Sequence, residues 1–171
     1  MSEVHSFPPV CAPDATRLIL GTMPGVASLA AGRYYAHPRN GFWPLIESVF
    51  ALPYGLDYDA RCAALVMRRI ALWDVLQQCQ RRGRLDSAIA RETMVANDFA
   101  GFLREHPRLR CIYFNGQSAA GFWQKLVLPV LPPLLVPATV VLPSSSPAHA
   151  GMTLAEKRLR WHKLLEDVPT E

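Results

Sequence analysis

Short apolar runs alternate with longer amphipathic stretches along the chain, and this alternation restricts the possible folds more than any other feature. Residues 17–21 (RLILG), 110–116 (RCIYFNG) and 138–147 (ATVVLPSSSP) are apolar runs that pass into glycine, asparagine, proline or serine. Such runs predict buried strands that end in turns. Because strands that alternate with helices form a parallel sheet covered on both faces, we expect an α/β fold. It should be a three-layer α/β/α sandwich with a short, mainly parallel central sheet of about four strands.

The stretches between these runs have the composition and periodicity of helices. We expect helices within residues 42–51, 59–70, 90–106, 118–131 and 153–167. The last one should begin at an N-cap, Thr153, with Glu156 three residues on as a capping box. Residues 70–76 (IALWDVL) fit a strand or a helix. A chain of 171 residues fits a single domain, 1–171, in which residues 1–16 are expected to be an irregular N-terminal segment.

Composition excludes several classes of site. The four cysteines form no C-x-x-C pair and the five histidines are scattered, so neither a zinc site nor an iron–sulfur cluster is expected. Fifteen of the eighteen basic residues are arginines, which suit phosphate, although a net charge of +4 is mild. No targeting or membrane-spanning segment is evident, and we expect a cytoplasmic protein.

The turns that follow the strands are the expected place for a binding site. In open parallel sheets, ligands bind beyond the carboxyl ends of the strands. Residues 21–25 (GTMPG) allow a close approach of the backbone, but they match neither a Walker A sequence nor G-x-G-x-x-G. Residues 143–150 (PSSSPAHA) offer hydroxyl and N–H groups that suit phosphate, and an ordinary turn with an N-cap fits the same pattern.

Individual residues near these turns remain open to two interpretations. Asp74 could be a general base or a helix cap, and Asn115 could recognise the edge of a base or form an Asn-Gly turn. A serine from the PSSSP segment with His149 would suit a hydrolase, but no G-x-S-x-G elbow is present.

Several weak signals coincide in residues 34–43 (YYAHPRNGFW). The two tyrosines offer a face on which a flat base can stack, Arg39 offers a phosphate contact, and Asn40 offers an amide that can position a water molecule. Phe42 and Trp43 fit core anchors of the following helix.

These motifs, taken in order, resemble the uracil-DNA glycosylase superfamily, and in particular its hypoxanthine-DNA (deoxyinosine) glycosylase branch. The mismatch-specific uracil and thymine glycosylases are related to it. The resemblance extends from about Arg17 to about Trp161, and it includes GTMPG, YYAHPRNGFW, the LWD segment, YFNGQSA and LPSSSPAH in the family's order.

The resemblance implies a role for each matching position. Asn40 would be catalytic, because Met23 stands where relatives carry a water-activating aspartate or asparagine. The implied base-binding residues are Gly21, Thr22, Met23, Pro24, Gly25, Tyr35 and Asn115. The implied DNA-binding residues are Arg39, Ser144, Ser145, Ser146 and Pro147. Leu142 replaces the histidine of the classical uracil enzymes, and the serine run contains no bulky side chain to fill the DNA helix.

The implied activity is hydrolysis of the N-glycosidic bond of a flipped, deaminated base by a water molecule that Asn40 holds. No lysine lies in the matched motifs, so a Schiff-base step is not expected. The expected partner is DNA containing deaminated bases, without metal, cofactor or membrane, and the protein is expected to be a monomer near the nucleoid. The alternatives are an inactive DNA-binding relative, a G·U/G·T mismatch-specific uracil glycosylase, and an unrelated serine hydrolase.

Overall fold

The computed structural model describes residues 2–168 and places four parallel strands at its centre. These strands are β2 (Arg17–Gly21), β3 (Ile70–Asp74), β6 (Cys111–Asn115) and β7 (Ala138–Leu142), in the spatial order β3-β2-β6-β7. All neighbouring pairs are parallel. The expected α/β fold with a short parallel sheet is therefore confirmed, and the ambiguous 70–76 run begins as a strand.

Alternate residues of the parallel strands face two separate hydrophobic cores. Leu18 and Leu20 pack into one core, whereas Ile19 packs into the other. This period of two is what a sheet covered on both faces requires. The helices are α1 (Val26–Ala31), α2 (Phe42–Val49), α3 (Tyr58–Met67), α4 (Phe99–Glu105), α5 (Gln117–Phe122) and α6 (Leu154–Trp161). The first core includes buried residues of α4 and α5, and the second includes buried residues of α2, α3 and α6.

A second, antiparallel sheet corrects two expectations. It consists of β1 (Ser2–His5), β4 (Leu76–Arg81) and β5 (Ile89–Ala96) in the order β1-β4-β5. The segment 1–16 was expected to be irregular, but Ser2–His5 pairs with β4, and residue 1 lies outside the described residues. The helix expected over 90–106 is wrong in its first half, because pairing with β4 overrides the local helical preference of that stretch.

Helix α6 begins with the expected capping box. The Thr153 hydroxyl accepts a hydrogen bond from the Glu156 N–H at 3.2 Å, and the Glu156 carboxylate accepts one from the Thr153 N–H at 2.6 Å. At the other end of α6, the buried Trp161 indole donates to the Pro143 carbonyl at 2.9 Å. The helix thus supports the segment that follows β7. None of the described helices is long and apolar enough to cross a membrane.

Candidate active site

The carboxyl ends of the four parallel strands open into a cavity of about 1330 Å³. Gly21, Asp74, Asn115 and Leu142 are the last residues of the four strands, and all of them line the cavity. The walls also include every residue to which the resemblance assigns a catalytic, base-binding or DNA-binding role. These are Gly21, Thr22, Met23, Pro24, Gly25, Tyr35, Arg39, Asn40, Asn115, Ser144, Ser145, Ser146 and Pro147. The fold therefore brings together four segments that are far apart in the sequence, while their roles stay predictions.

A chain of hydrogen bonds joins Asn40 to Asn115 through Ser145. The Asn115 amide donates to the Ser145 hydroxyl at 2.9 Å, and that hydroxyl donates to Asn40 Oδ1 at 2.8 Å. The Ser145 N–H donates to Asn115 Oδ1 at 2.8 Å. Asn40 Oδ1 accepts a second bond, from the Phe42 N–H at 3.0 Å, so both of its lone pairs are occupied. Among the described residues the Asn40 amide nitrogen has no acceptor, which leaves its N–H groups available to a water molecule.

Tyr35 has a strained backbone and a ring that is supported on one face. Its φ of +55° is in the left-handed region, which is unfavourable for an aromatic residue and is often found at functional sites. The ring stacks on Phe42 with a centroid separation of 4.0 Å and an interplanar angle of 20°. The neighbouring Tyr34 fixes the turn, because its hydroxyl donates to the Pro8 carbonyl at 2.8 Å and its carbonyl accepts from the Trp43 indole at 3.0 Å. The surrounding structure thus holds Tyr35 against the cavity wall.

The Tyr35 hydroxyl and the Asp74 carboxyl meet over Gly21. A Cβ atom at Gly21 would lie 2.6 Å from Asp74 Oδ1 and 2.7 Å from the Tyr35 hydroxyl oxygen, so any other residue at this position would displace both groups. Asp74 is only 3% exposed, and burial, with the nearby Asp86 carboxylate adding to it, raises the pKa of Asp74 to about 8. The helix-cap interpretation of Asp74 is wrong, because β3 ends at this residue and β4 follows at Leu76.

The serine loop is only partly free to contact DNA. Ser145 is 2% exposed, and its hydroxyl and N–H groups both bind within the protein, so a phosphate contact through them would require these bonds to break. Ser144 and Ser146 are half-buried, and their hydroxyls accept hydrogen bonds from the N–H groups of Ser146 and Ala148. Pro147 is exposed. Phosphate contacts through this loop stay a prediction.

Basic side chains surround the mouth of the cavity. Arg39, Arg84, Arg160 and Lys163 are exposed and line it, and none of them forms an ion pair within residues 2–168. Four unpaired cations around one opening create a positive potential that attracts a polyanion. The same part of the chain contains no group of three histidine, cysteine, aspartate or glutamate side chains arranged to hold a metal ion.

The antiparallel sheet adds two cavity residues that the sequence did not identify. Arg81 is buried and donates from Nη2 to the Pro24 carbonyl at 2.8 Å, so it supports the GTMPG turn. Burial raises the pKa of Asp86, while a hydrogen bond with Thr22 and the charge of Arg81 act in the opposite direction. Arg82 and Arg84, which follow Arg81 in the sequence, are exposed. No local pattern in the sequence signals that β4 buries its final arginine.

The chain is similar to known proteins in both sequence and structure. A family model described as the uracil DNA glycosylase superfamily matches residues 8–166. A hypoxanthine DNA glycosylase of Methanosarcina acetivorans is 36% identical over 149 residues, which cover 85% of this chain and 87% of that protein. A hypoxanthine DNA glycosylase of Methanosarcina barkeri is 34% identical over 119 residues, which cover 69% of this chain and 74% of that protein. The solution structure of a protein put forward as a uracil DNA glycosylase of M. acetivorans superposes with a TM-score of 0.76 at 31% identity, covering 96% of this chain and 100% of that one.

Proposed function

The chain belongs to the uracil DNA glycosylase superfamily, and from this premise we propose that it is a monofunctional DNA glycosylase that removes deaminated bases. Hypoxanthine is the first expected substrate, because both curated relatives are named hypoxanthine DNA glycosylases. Uracil and xanthine are further candidates. The observation that carries the proposal is the convergence of Asn40, Tyr35 and Asn115 in one cavity with a basic rim.

Base flipping gives the damaged nucleotide access to this cavity. Stacking and pairing shield a base within a duplex from attack. The free energy needed to extrude the base is smallest where deamination has already weakened its pairing. The flipped base stacks on the free face of Tyr35, whose other face is supported by Phe42. Because the hydrogen bonds of Ser145 hold the Asn115 amide in place, Asn115 presents a fixed donor and acceptor to the base edge.

Hydrolysis proceeds with bond breaking ahead of water attack. The Asn40 amide does not titrate in the useful range, so it cannot serve as a general base. The glycosidic bond loosens first, the sugar becomes oxocarbenium-like, and donors around the base stabilise the developing negative charge. A water molecule held by the Asn40 amide N–H then attacks C1′ of the sugar, and its proton passes to the departing base, which leaves in its neutral form. The product is an abasic site, which the later steps of base excision repair process.

The four exposed basic residues at the rim bind the DNA backbone, so affinity should fall as salt concentration rises. We propose that the protein acts as a monomer on chromosomal DNA in the cytoplasm. A serine hydrolase receives no support, because the Ser145 hydroxyl donates to an amide oxygen and not to an imidazole.

Duplexes that carry one deoxyinosine or one deoxyuridine test the proposal. The protein is incubated with each duplex, and alkali then converts abasic sites to strand breaks, with an undamaged duplex as control. We expect cleavage at deoxyinosine. Release of uracil but not of hypoxanthine would favour the mismatch-specific uracil glycosylase, and normal DNA binding without any release would favour an inactive relative.

A further inference from the structure

Asp74 has no part in the mechanism described so far, although it lies at the floor of the same cavity. Its side chain lines the cavity, and Asp74 Oδ2 is buried without a hydrogen-bond partner among the described residues. The Tyr35 hydroxyl, which lies over the same Gly21, is also buried and has no hydrogen-bond partner among the described residues. Two buried polar atoms without partners are costly, and their coincidence at one cavity floor suggests that both are satisfied by a bound molecule.

The groups that face Asp74 favour its neutral form. Tyr34 and Tyr35 come from the segment before α2, and Asp86 comes from the loop between β4 and β5. None of these groups carries a positive charge, and within residues 2–168 no basic side chain forms an ion pair with Asp74. The nearby Arg81 directs its guanidinium to the Pro24 carbonyl. Burial and the Asp86 carboxylate therefore raise the pKa of Asp74 to about 8.

We propose that Asp74 is a second catalytic residue, which acts as a neutral carboxylic acid and donates a hydrogen bond from its carboxyl group to the flipped base. This inference rests on the proposed glycosylase function. A purine such as hypoxanthine presents acceptors at O6, N7 and N3, and uracil presents O2 and O4. The proton stays on Asp74 and the bond strengthens as negative charge develops on the departing base, so the donor lowers the barrier. An ionised carboxylate at this position would instead repel that charge.

Asp74 lies where a carboxyl group can reach a bound base, although ionisation of that carboxyl is unfavourable there. Asp74 and Asn115 end the two strands that flank β2, so their side chains reach the cavity on either side of Gly21. A base held over Gly21 therefore has an amide on one side and a carboxyl on the other. A buried carboxyl kept neutral is a known way to supply a donor near neutral pH.

The pH dependence of base release under single-turnover conditions tests the proposal. Wild-type rates on a deoxyinosine duplex should be level up to about pH 8 and fall about tenfold per pH unit above it. Asp74→Asn keeps an N–H donor that does not titrate, so its rate should remain within about tenfold of wild type and stay level up to pH 9.5. Asp74→Ala should be slower by about 100-fold at pH 7. Asp59→Asn, at an exposed helix position, is the matched control and should follow the wild-type profile.

Two results would overturn the assignment of Asp74 while leaving the glycosylase function intact. One is an Asp74→Ala variant that releases hypoxanthine at the wild-type rate. The other is an Asp74→Asn variant that retains the wild-type fall above pH 8, since a titration elsewhere would then cause it.

Carboxyl NMR of the free protein tests the protonation state without any substrate. The signal that disappears in Asp74→Asn should titrate in wild type with a midpoint above pH 7, and a midpoint below pH 5 would overturn the proposal. If the wild-type protein releases no base from any duplex but this midpoint is above pH 7, the proposed glycosylase function is wrong. The conclusion that Asp74 is neutral at pH 7 would still hold.

Discussion

The parallel sheet and the antiparallel sheet both contribute residues to the cavity wall, but these residues occupy different positions in the two sheets. The parallel sheet contributes the last residue of every strand, including Gly21, Asp74 and Asn115. The antiparallel sheet contributes Arg81, where β4 ends, and part of the loop that follows. The atoms to which we assign chemistry therefore come from the parallel sheet edge, the turns that follow it and the segment between α1 and α2. The antiparallel sheet supports the GTMPG turn from outside.

Because of this difference, we expect variants in one sheet to affect mainly the rate of base release and variants in the other to affect mainly stability. The side chains of Asp74 and Asn115 at the parallel edge line the cavity, so changing them alters the groups that contact the base. Arg81 donates a hydrogen bond to the Pro24 carbonyl in the backbone of the GTMPG turn. Changing Arg81 should therefore lower the stability of the fold more than the rate of base release. Substitutions at the two sheets should thus differ in the ratio of turnover loss to stability loss.

The largest effect is expected for Asn40→Ala. The variant lacks the amide that holds the attacking water, so single-turnover release of hypoxanthine should slow by about 100-fold or more. Affinity for the deoxyinosine duplex, measured by fluorescence anisotropy, should change little, because the basic rim is intact. Gln124→Ala removes an exposed amide outside the cavity and serves as control. A normal rate for Asn40→Ala would assign water positioning to another residue.

Local patterns were sufficient to predict the parallel sheet edge. Each of the strands β2, β6 and β7 is a short apolar run with a turn after it, and a general rule for parallel sheets then places these turns together. The antiparallel sheet was missed because β5 has a helix-compatible composition and becomes a strand only through pairing with β4. The pairing of β1 with β4 likewise joins segments more than 70 residues apart in sequence.

Contacts between distant segments of the chain also escape sequence-based prediction within the site. The motifs identified Asn40 and Asn115, but not the serine that links them, because the hydrogen bond between Ser145 and Asn40 spans 105 positions of the chain. The sequence does not decide between a base and a cap for Asp74, because its protonation depends on burial and on Asp86, which lies in the loop between β4 and β5. Motifs thus locate functional side chains, whereas the contacts that set their protonation and orientation require the tertiary structure.

A smaller effect is expected for Gly21→Ala, which tests how tightly the parallel edge is packed. The added methyl group would lie 2.6 Å from Asp74 Oδ1 and 2.7 Å from the Tyr35 hydroxyl, so both buried side chains must move. Base release should slow by about tenfold, measured at saturating enzyme. Gly121→Ala adds the same methyl group where no atom lies within 4 Å and should release base at the wild-type rate. An unchanged rate for Gly21→Ala would show that the cavity floor tolerates displacement of these two groups.

The smallest effect on turnover is expected for Arg81→Met, in the antiparallel sheet. Methionine retains much of the buried side-chain volume but leaves the Pro24 carbonyl without its donor, so the free energy of unfolding in urea should fall by about 1–3 kcal/mol. Base release by the folded variant should stay within about threefold of wild type. Arg82→Met alters the exposed neighbour and should change stability by less than about 0.5 kcal/mol. If Arg81→Met instead lost base release as severely as Asn40→Ala and kept its stability, the antiparallel sheet would take part in the chemistry, and the distinction between a reacting sheet and a supporting one would fail.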